Sequence, residues 1–185
     1  MARVRPELVA AAPNAPAGPP LNASLPRRLA ALGYEALLVS AVLLAAGFLL
    51  APLVSPLVDP ASATRVPVPG LSARIVLFVS FASVGGLYFG WFWTGGRRTL
   101  PMQTWRIRLV SAGGGPVAPR AAALRYLAFW IGPALALAAY AATQPAGLGR
   151  YAVALVAFNY AWALVDRDRQ FLHDRLAGTR LVRVR

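Results

Sequence analysis

The stretch IVLFVSFASVGGLYFGWFWT, residues 75–94, contains twenty consecutive residues without a charged side chain. An α-helix needs about 20 predominantly apolar residues to cross the hydrocarbon core of a bilayer. Residues 75–94 therefore predict a transmembrane helix and indicate an integral membrane protein.

Three further apolar stretches lie on either side of this helix, at residues 29–51, 121–142 and 148–165. The chain is 58% hydrophobic and only 14% charged, whereas charged residues make up about 25% of a typical soluble domain. Soluble cores contain single apolar helices, but four such stretches within 185 residues favour a membrane protein. We therefore expect an all-α membrane protein with four transmembrane helices.

The distribution of arginine predicts how the chain is oriented. All nineteen basic residues are arginines, against six acids, which gives a net charge of +13. Sixteen of the nineteen lie in the N-terminal segment, in the segment between the second and third apolar stretches (counted through Arg125) and in the C-terminal segment. Since basic residues concentrate on the cytoplasmic side of a membrane, four spans with both termini in the cytoplasm explain this distribution.

Composition also argues against several classes of function. A strongly basic chain can bind nucleic acid, but these arginines lie between apolar spans and form no soluble basic face, so we expect no nucleic-acid partner. The chain has no cysteine, and His173 is its only histidine, which is too few ligands for the usual zinc site. No serine lies in a nucleophile-elbow motif. We therefore predict a protein that is not an enzyme and has no metal or cofactor.

The segments outside the spans allow two more predictions. Residues 1–25 are a Pro/Ala-rich cytoplasmic tail that should be disordered, and residues 26–185 form the membrane domain. Alternating residues in RIRL, 106–109, and in TRLVRVR, 179–185, predict a small β-element on the cytoplasmic surface. The alternative is that both segments lie irregularly on anionic lipid headgroups.

Glu35 is the only charged residue within the stretch 29–51. A carboxylate inside a span is costly unless it is paired, protonated or hydrated. Arg28 lies on the same helix face but about 10 Å away along the axis, so direct pairing would require both side chains to stretch or a water to bridge them. Glu35 is therefore either an ion- or proton-binding carboxylate or a structural anchor paired with an arginine from another segment.

The fourth apolar stretch has polar residues on one face. Asn159 and Asp166 repeat the seven-residue spacing of Arg28 and Glu35. Together with Glu35 they could supply the oxygen ligands that a small hard cation prefers. The alternative for Asn159 is an interhelical hydrogen bond, which is the commoner role of an asparagine inside a membrane.

Two features of the spans concern helix packing. Ala82, Gly86 and Gly90 recur every four residues, and this pattern of small residues predicts a close contact with another helix. Pro133 removes a backbone donor from the third span, which predicts a kink after Gly132.

The segment DRDRQFLHDRLAGTR, residues 166–180, holds three of the six acids and the only histidine. It predicts a short amphipathic helix on the cytoplasmic membrane surface, with Gly178 as its C-terminal stop. Asp174 is expected to pair with an arginine of the first or second cytoplasmic segment and to latch the tail to the first span. The side chains expected to face lipid are Phe171, Leu172 and Leu176.

Three motifs resemble those of a known family. RLAALGYE, residues 28–35, is an arginine followed seven residues later by a carboxylate; GRRTLPMQTWRIRLV, residues 96–110, leads from Thr-Leu into a basic-apolar segment; and HDRLAGT, residues 173–179, is a closing His-Asp-basic motif. In these motifs the chain resembles the RDD family of bacterial inner-membrane proteins. The motif residues so identified are Arg28, Glu35, His173, Asp174, Gly178 and Thr179.

The chain departs from the family pattern at two positions. Glu35 stands where the family has an aspartate, which keeps the carboxylate and adds a methylene. Pro101 stands where the family has a glycine, which removes a backbone donor.

The resemblance implies a multi-pass protein of the bacterial inner membrane and associates it with transport, in some members with cation/proton antiport. We therefore expect a small transporter or transport component that uses Glu35 and binds membrane lipids and a small cation or a proton. Four spans are few for a permeation path, so we expect a homo-oligomer or a partner membrane protein.

A competing hypothesis is a scaffold or assembly factor that does not transport. It would bind anionic lipid or a partner protein through the arginine-rich cytoplasmic face. A polar cavity reaching Glu35 from the cytoplasm would favour transport, whereas a dry, arginine-paired Glu35 would favour the scaffold.

Overall fold

A computed structural model describes residues 21–54 and 70–184 of the chain. Within these ranges the protein is mainly helical, with one small sheet. The tail predicted to be disordered covers residues 1–25, and residues 1–20 of it lie outside the described ranges.

Within the described ranges, three helices are long and apolar enough to cross a membrane: Leu25–Leu53, Leu71–Trp93 and Pro119–Ala146. The first lies within α1 (Leu25–Val54) and the second is α2 (Leu71–Trp93). The third consists of α4 (Pro119–Phe129), α5 (Ile131–Thr143) and a 3₁₀ turn (Gln144–Ala146). The prediction of apolar helices of membrane-spanning length is therefore confirmed for these three.

The break between α4 and α5 lies at Trp130, not after Gly132 as the sequence predicted. Proline lacks the N–H that would bond the carbonyl four residues earlier, and its ring clashes with that carbonyl. For Pro133 this carbonyl belongs to Phe129, so the helix is interrupted in the turn before the proline. Trp130 N–H instead bonds Leu127 O at 3.1 Å, a tighter hydrogen bond of the 3₁₀ type.

The chain returns from α5 through a segment of short helical pieces: a 3₁₀ helix (Gly149–Ala157), α6 (Phe158–Ala161) and a 3₁₀ turn (Trp162–Leu164). This segment packs closely along α5. At Gly132 the two backbones are so close that an added Cβ would lie only 2.7 Å from Val156 O. None of its pieces is among the three membrane-length helices. The fourth span over residues 148–165 therefore stays a prediction.

The predicted β-element is confirmed as an antiparallel pair, β1 (Ile107–Ser111) and β2 (Thr179–Arg183), in which Leu109 is opposite Leu181. Asn22 forms a bridge to Val182 on the other edge of β2. The structured domain therefore includes residues before the predicted boundary at Pro26.

The sheet and the helix ends enclose a small apolar core. Between α2 and β1 lies α3 (Leu100–Thr104), which contributes Met102 to this core. The other main members are Trp93, Ile107, Leu109, Val117, Ala122 and Leu181. The core sits at one end of the long helices, where the three segments that sequence analysis assigned to the cytoplasm meet.

The predicted amphipathic helix is shorter than expected, since α7 covers only Leu172–Leu176. Asp166 Oδ2 accepts the backbone N–H groups of Asp168 and Gln170, each at 3.0 Å, and these bonds hold the preceding residues in a turn. Gly178, at φ +61°, follows the helix as its stop, as predicted.

The expectation that Phe171 faces lipid is wrong, because its side chain is only 2% exposed. The ring packs edge-on against Tyr160 and lies beneath the Arg28 guanidinium. Leu176, by contrast, is 49% exposed. Phe171 is buried because the short helix turns its N-terminal end toward the other helices.

The small-residue face of α2 meets the side chain of Tyr126 on α4. Tyr126 donates a hydrogen bond to Ala82 O at 2.7 Å, and a Cβ on Gly85 or Gly86 would lie 3.0 or 3.3 Å from the Tyr126 ring or hydroxyl. A Cβ on Gly90 would contact none of the described residues within 4 Å. The contact therefore uses Ala82, Gly85 and Gly86, and the inclusion of Gly90 was wrong.

Candidate functional site

Glu35 points from α1 toward the end of α2 and the start of α3. Its carboxylate accepts hydrogen bonds from the hydroxyls of Tyr88, at 2.8 Å, and Thr99, at 2.6 Å. Among the described residues, no arginine or histidine nitrogen lies within 4.0 Å of its oxygens. Two neutral donors therefore hold the carboxylate, and no cation of the described segments lies in ion-pair contact with it.

Thr99 is fixed by the local structure of α3. It is fully buried and is the N-cap of this helix, where its Oγ1 accepts the N–H of Met102 at 3.4 Å. Pro101 occupies the first turn of α3, where a backbone donor is not needed. The departure from the family pattern at this position is thus compatible with the helix that aims Thr99 at Glu35.

Arg28 does not pair with Glu35. Its Nη2 donates to the carbonyl of Arg169 at 2.5 Å, and its guanidinium lies 5.1 Å from the centre of the Phe171 ring. Arg169 has φ +51°, an uncommon conformation for a residue with a side chain. The loop after the helical segment is therefore bent so that one of its carbonyls meets Arg28.

Asp174 forms an ion pair with Arg125 of α4, and both are buried. Thr179 bridges the pair, since its Oγ1 accepts from Arg125 at 3.1 Å and donates to Asp174 at 3.2 Å. The predicted partner from the second arginine-rich segment is confirmed. The predicted latch to the first span is wrong, because Asp174 fastens the C-terminal segment to α4.

His173 is next to this pair and is only 5% exposed. Its ring packs edge-on against Tyr160. Burial, and then the positive charge of Arg125, lowers the pKa of His173 well below its ordinary value. The imidazole is therefore neutral at physiological pH, and His173 contributes a buried, uncharged wall beside the Arg125–Asp174 pair.

Asn159 has a structural role in the α4–α5 break. Its side-chain amide donates to Phe129 O at 2.7 Å and to Ala128 O at 3.2 Å. Phe129 O is the carbonyl that Pro133 leaves without a backbone donor. Asn159 therefore makes the interhelical hydrogen bonds that sequence analysis considered as its alternative role.

The three candidate oxygen ligands have separate partners. Glu35 binds hydroxyls of α2 and α3, Asn159 binds carbonyls at the α4–α5 break, and Asp166 binds its own loop and lies 3.7 Å from Arg175. Within the described ranges, no group of three acids or histidines is placed to hold a metal ion. The arrangement does not assemble Glu35, Asn159 and Asp166 as one ligand set.

A cavity of about 430 Å³ lies between α1, α2 and α4, and Glu35 is part of its wall. The other polar side chains lie mainly at the end near β2, and aromatic rings form much of the rest of the wall. The polar lining residues are Arg28, Glu35, Ser40, Arg125, Tyr126, Tyr160 and His173. Glu35 thus has access to a cavity, but most of that cavity is apolar.

Sequence reasoning missed three residues of this site: Tyr88, Thr99 and Arg125. Arg125 is a charge within an apolar stretch, and the signal that singled out Glu35 applies to it equally. Thr99 precedes Pro101 by two residues, a pattern typical of a helix N-cap. Tyr88 carried no comparable signal, because only the packing of α1 on α2 places its hydroxyl near Glu35.

One comparison with known proteins gives a match. The sequence profile of the RDD family matches residues 22–178, which is most of the chain. No curated protein and no solved structure matches the chain. The matched range begins at Asn22, which bridges to Val182, and includes α1 to α7.

Proposed function

The chain belongs to the RDD family of membrane proteins, and from this premise we propose that it is a small transporter or transport component that exchanges a cation for a proton at Glu35. The observation that supports this most directly is the state of Glu35. Its carboxylate lines a cavity and is held by two hydroxyls, without an ion-paired arginine among the described residues. A carboxylate in this state can gain and lose a proton without breaking a salt bridge.

The hydroxyl donors suit such an exchange. Tyr88 and Thr99 can donate to the ionised carboxylate, and a hydroxyl can also accept from the protonated acid after rotating about its C–O bond. The site therefore offers hydrogen bonds to both forms. An arginine in the same position would favour only the ionised form.

The proposed topology is four spans in the bacterial inner membrane, with both termini in the cytoplasm. Its support is the sheet: β1 pairs with β2, and Asn22 bridges to β2, so the chain must return to one side before each of them. An even number of crossings on each side of β1 meets this requirement. Residues 148–165 would then supply the fourth crossing.

The experiment is ion-driven pH change in proteoliposomes that contain the purified protein. Wild type and Glu35→Asp, which restores the family's usual acid, should give flux, whereas Glu35→Gln should abolish it. Equal flux from wild type and Glu35→Gln, normalised to folded protein, would remove Glu35 from the mechanism. Labelling of single cysteines placed at Arg106 and Arg150 would test the topology, because the chain has no cysteine of its own.

A second candidate function is a scaffold that binds anionic lipid or a partner protein and transports nothing. The observation that favours it is a set of exposed arginines around the sheet and the adjacent loops: Arg97, Arg106, Arg120, Arg167, Arg169, Arg175 and Arg183. Such a surface attracts an anionic leaflet. We expect phosphatidylglycerol to be enriched over phosphatidylcholine among lipids retained by the protein in mixed-lipid nanodiscs, and the scaffold candidate additionally requires no flux from wild type.

A further inference from the structure

The cavity is a slot that runs along one face of α1. Its α1 wall extends from Arg28 through Glu35 and Ser40 to Leu43, at spacings that return to the same face every turn or two. The fifteen residue-to-residue rises from Arg28 to Leu43 correspond to about 22 Å. The opposite wall is formed by the α2 face that includes Phe78 and Phe81, and by Phe129 and Trp130 at the end of α4. A cavity of about 430 Å³ that follows about 22 Å of helix suits an extended chain better than a compact ligand.

The slot has chemically different ends. Toward β2 it is bounded by Arg28, Arg125 and His173, whereas beyond Ser40 its wall is made of apolar and aromatic side chains. A ligand that matches both ends has a polar head and a single apolar tail. The length of about 22 Å exceeds one leaflet's share of a hydrocarbon core of about 30 Å, so an acyl chain of ordinary length would fit.

Arg28 determines the charge of the head that would be accepted. It is 5% exposed, and its Nε has no hydrogen-bond partner among the residues that the structure describes. Within the described ranges no carboxylate lies within 4.0 Å of its nitrogens, whereas Arg125 already has Asp174. Asp166 is close enough to interact electrostatically with Arg28, but it forms no ion pair with it. A buried cation without an anion in contact is costly, and a ligand carboxylate would supply that contact.

Glu35 does not prevent an acidic ligand from binding. Its oxygens are directed to Tyr88 and Thr99, on the α2 and α3 side of the slot. It lies about 10 Å beyond Arg28 along the helix axis, so a head at Arg28 would not contact it. The chain of the ligand would pass the aliphatic part of Glu35 on its way to Leu43.

We propose that this slot binds one long-chain carboxylic acid, with its carboxylate at Arg28 and its acyl chain between α1 and α2. A diacyl phospholipid suits it less, because the volume of about 430 Å³ follows a single stripe of α1. The evidence for this binding is the shape of the slot and the position of Arg28. The binding does not require proton exchange at Glu35.

The test uses a palmitic acid with a photoreactive diazirine near the end of its chain, added to the full-length protein in phosphatidylcholine nanodiscs. Labelled residues are mapped by mass spectrometry. We expect labels on the slot faces of α1 and α2, near Leu43 and Phe78, and we expect the corresponding primary alcohol to label these residues much more weakly.

Two pairs of variants separate the head from the chain. Arg28→Gln should weaken labelling about tenfold or more, the loss expected for a hydrogen bond to a charged group, whereas Arg120→Gln, an exposed arginine of α4, should not. Ala36→Phe places a ring in the slot and should block labelling, whereas Leu37→Phe, which is 72% exposed and does not line the slot, should not.

Three outcomes would overturn the proposal. The first two are equal labelling by the acid and the alcohol, and equal labelling of wild type and Ala36→Phe. The third is that a diacyl phosphatidic acid displaces the probe as well as unlabelled palmitic acid does. Because Ala36 lies about 12 Å from Arg28 along the axis of α1, its variant remains informative even if Arg28→Gln does not fold. Flux by Glu35 variants is measured separately, so a failure of proton exchange would leave this result interpretable.

Discussion

Two carboxylates of this protein, Asp174 and Glu35, are held in opposite ways. Asp174 is 1% exposed and is neutralised by Arg125, with Thr179 bonded to both partners. Glu35 lines a cavity, and among the described residues its hydrogen-bond partners are the hydroxyls of Tyr88 and Thr99. The difference indicates that Asp174 belongs to the part that fixes the fold, whereas the proposed function makes Glu35 the residue that changes its charge.

The largest expected effect is that of Asp174→Ala on stability. It leaves the Arg125 guanidinium buried without its counter-charge, which costs about 3–5 kcal/mol in comparable cases. The measurement is the unfolding midpoint in detergent or the amount of folded protein in the membrane. Asp168→Asn, at a carboxylate whose side chain is 49% exposed and pairs with Arg175, is the matched control and should change stability by about 1 kcal/mol at most.

A smaller loss of stability is expected when one of the two hydroxyls that donate to Glu35 is removed. Thr99→Val removes one hydrogen bond to Glu35 and the N-cap of α3, and should cost about 1–2 kcal/mol. Tyr88→Phe removes only a hydrogen bond and should cost about 1 kcal/mol. If Thr99→Val and Tyr88→Phe both destabilised the protein as much as Asp174→Ala, Glu35 would be a structural residue like Asp174.

His173 gives the Asp174 region its own dependence on pH. Because its pKa is lowered in the folded protein from an ordinary value of 6.5, the unfolded chain binds more protons as the pH falls below about 6.5. Stability should therefore be full above this pH and should decline below it, by up to about 1.4 kcal/mol per pH unit. Unfolding midpoints at pH 7.5, 6.5 and 5.5 would measure the decline.

The control for this pH effect is His173→Gln, which should reduce the decline between pH 6.5 and 5.5. A wild-type protein whose stability did not change over this interval would contradict the burial of a neutral His173. Comparing the two proteins across pH, instead of at a single pH, separates the loss of the proton effect from the loss of packing.

The apolar helices and the β-pair could be predicted from sequence because each has a local signal. Twenty uncharged residues at 75–94 meet the length of a bilayer, and alternation at 106–109 marks a strand. The sequence also predicted that Asp174 would pair with an arginine, since a carboxylate among many arginines is expected to contact one of them. Which arginine it meets depends on how α7 packs against α4, and sequence spacing does not specify that.

The candidate site was less predictable, because sequence spacing does not specify which distant segments pack together. Glu35 stood out because a charge within a span is costly, yet its partners come from α2 and α3, far away in sequence. Phe171 was expected to face lipid from its place in an amphipathic pattern, but five residues of helix are too few for a periodic pattern to determine orientation. Contacts between distant segments decided both outcomes.

The most direct test of the contrast between the two carboxylates measures stability and flux together for Glu35→Gln and Asp174→Asn. We predict that Glu35→Gln keeps its unfolding free energy within about 1 kcal/mol of wild type and loses proton-coupled flux. We predict that Asp174→Asn loses stability and that its remaining folded molecules keep flux. Flux retained by Glu35→Gln, together with a stability loss as large as that of Asp174→Asn, would contradict the account and make Glu35 a second structural anchor.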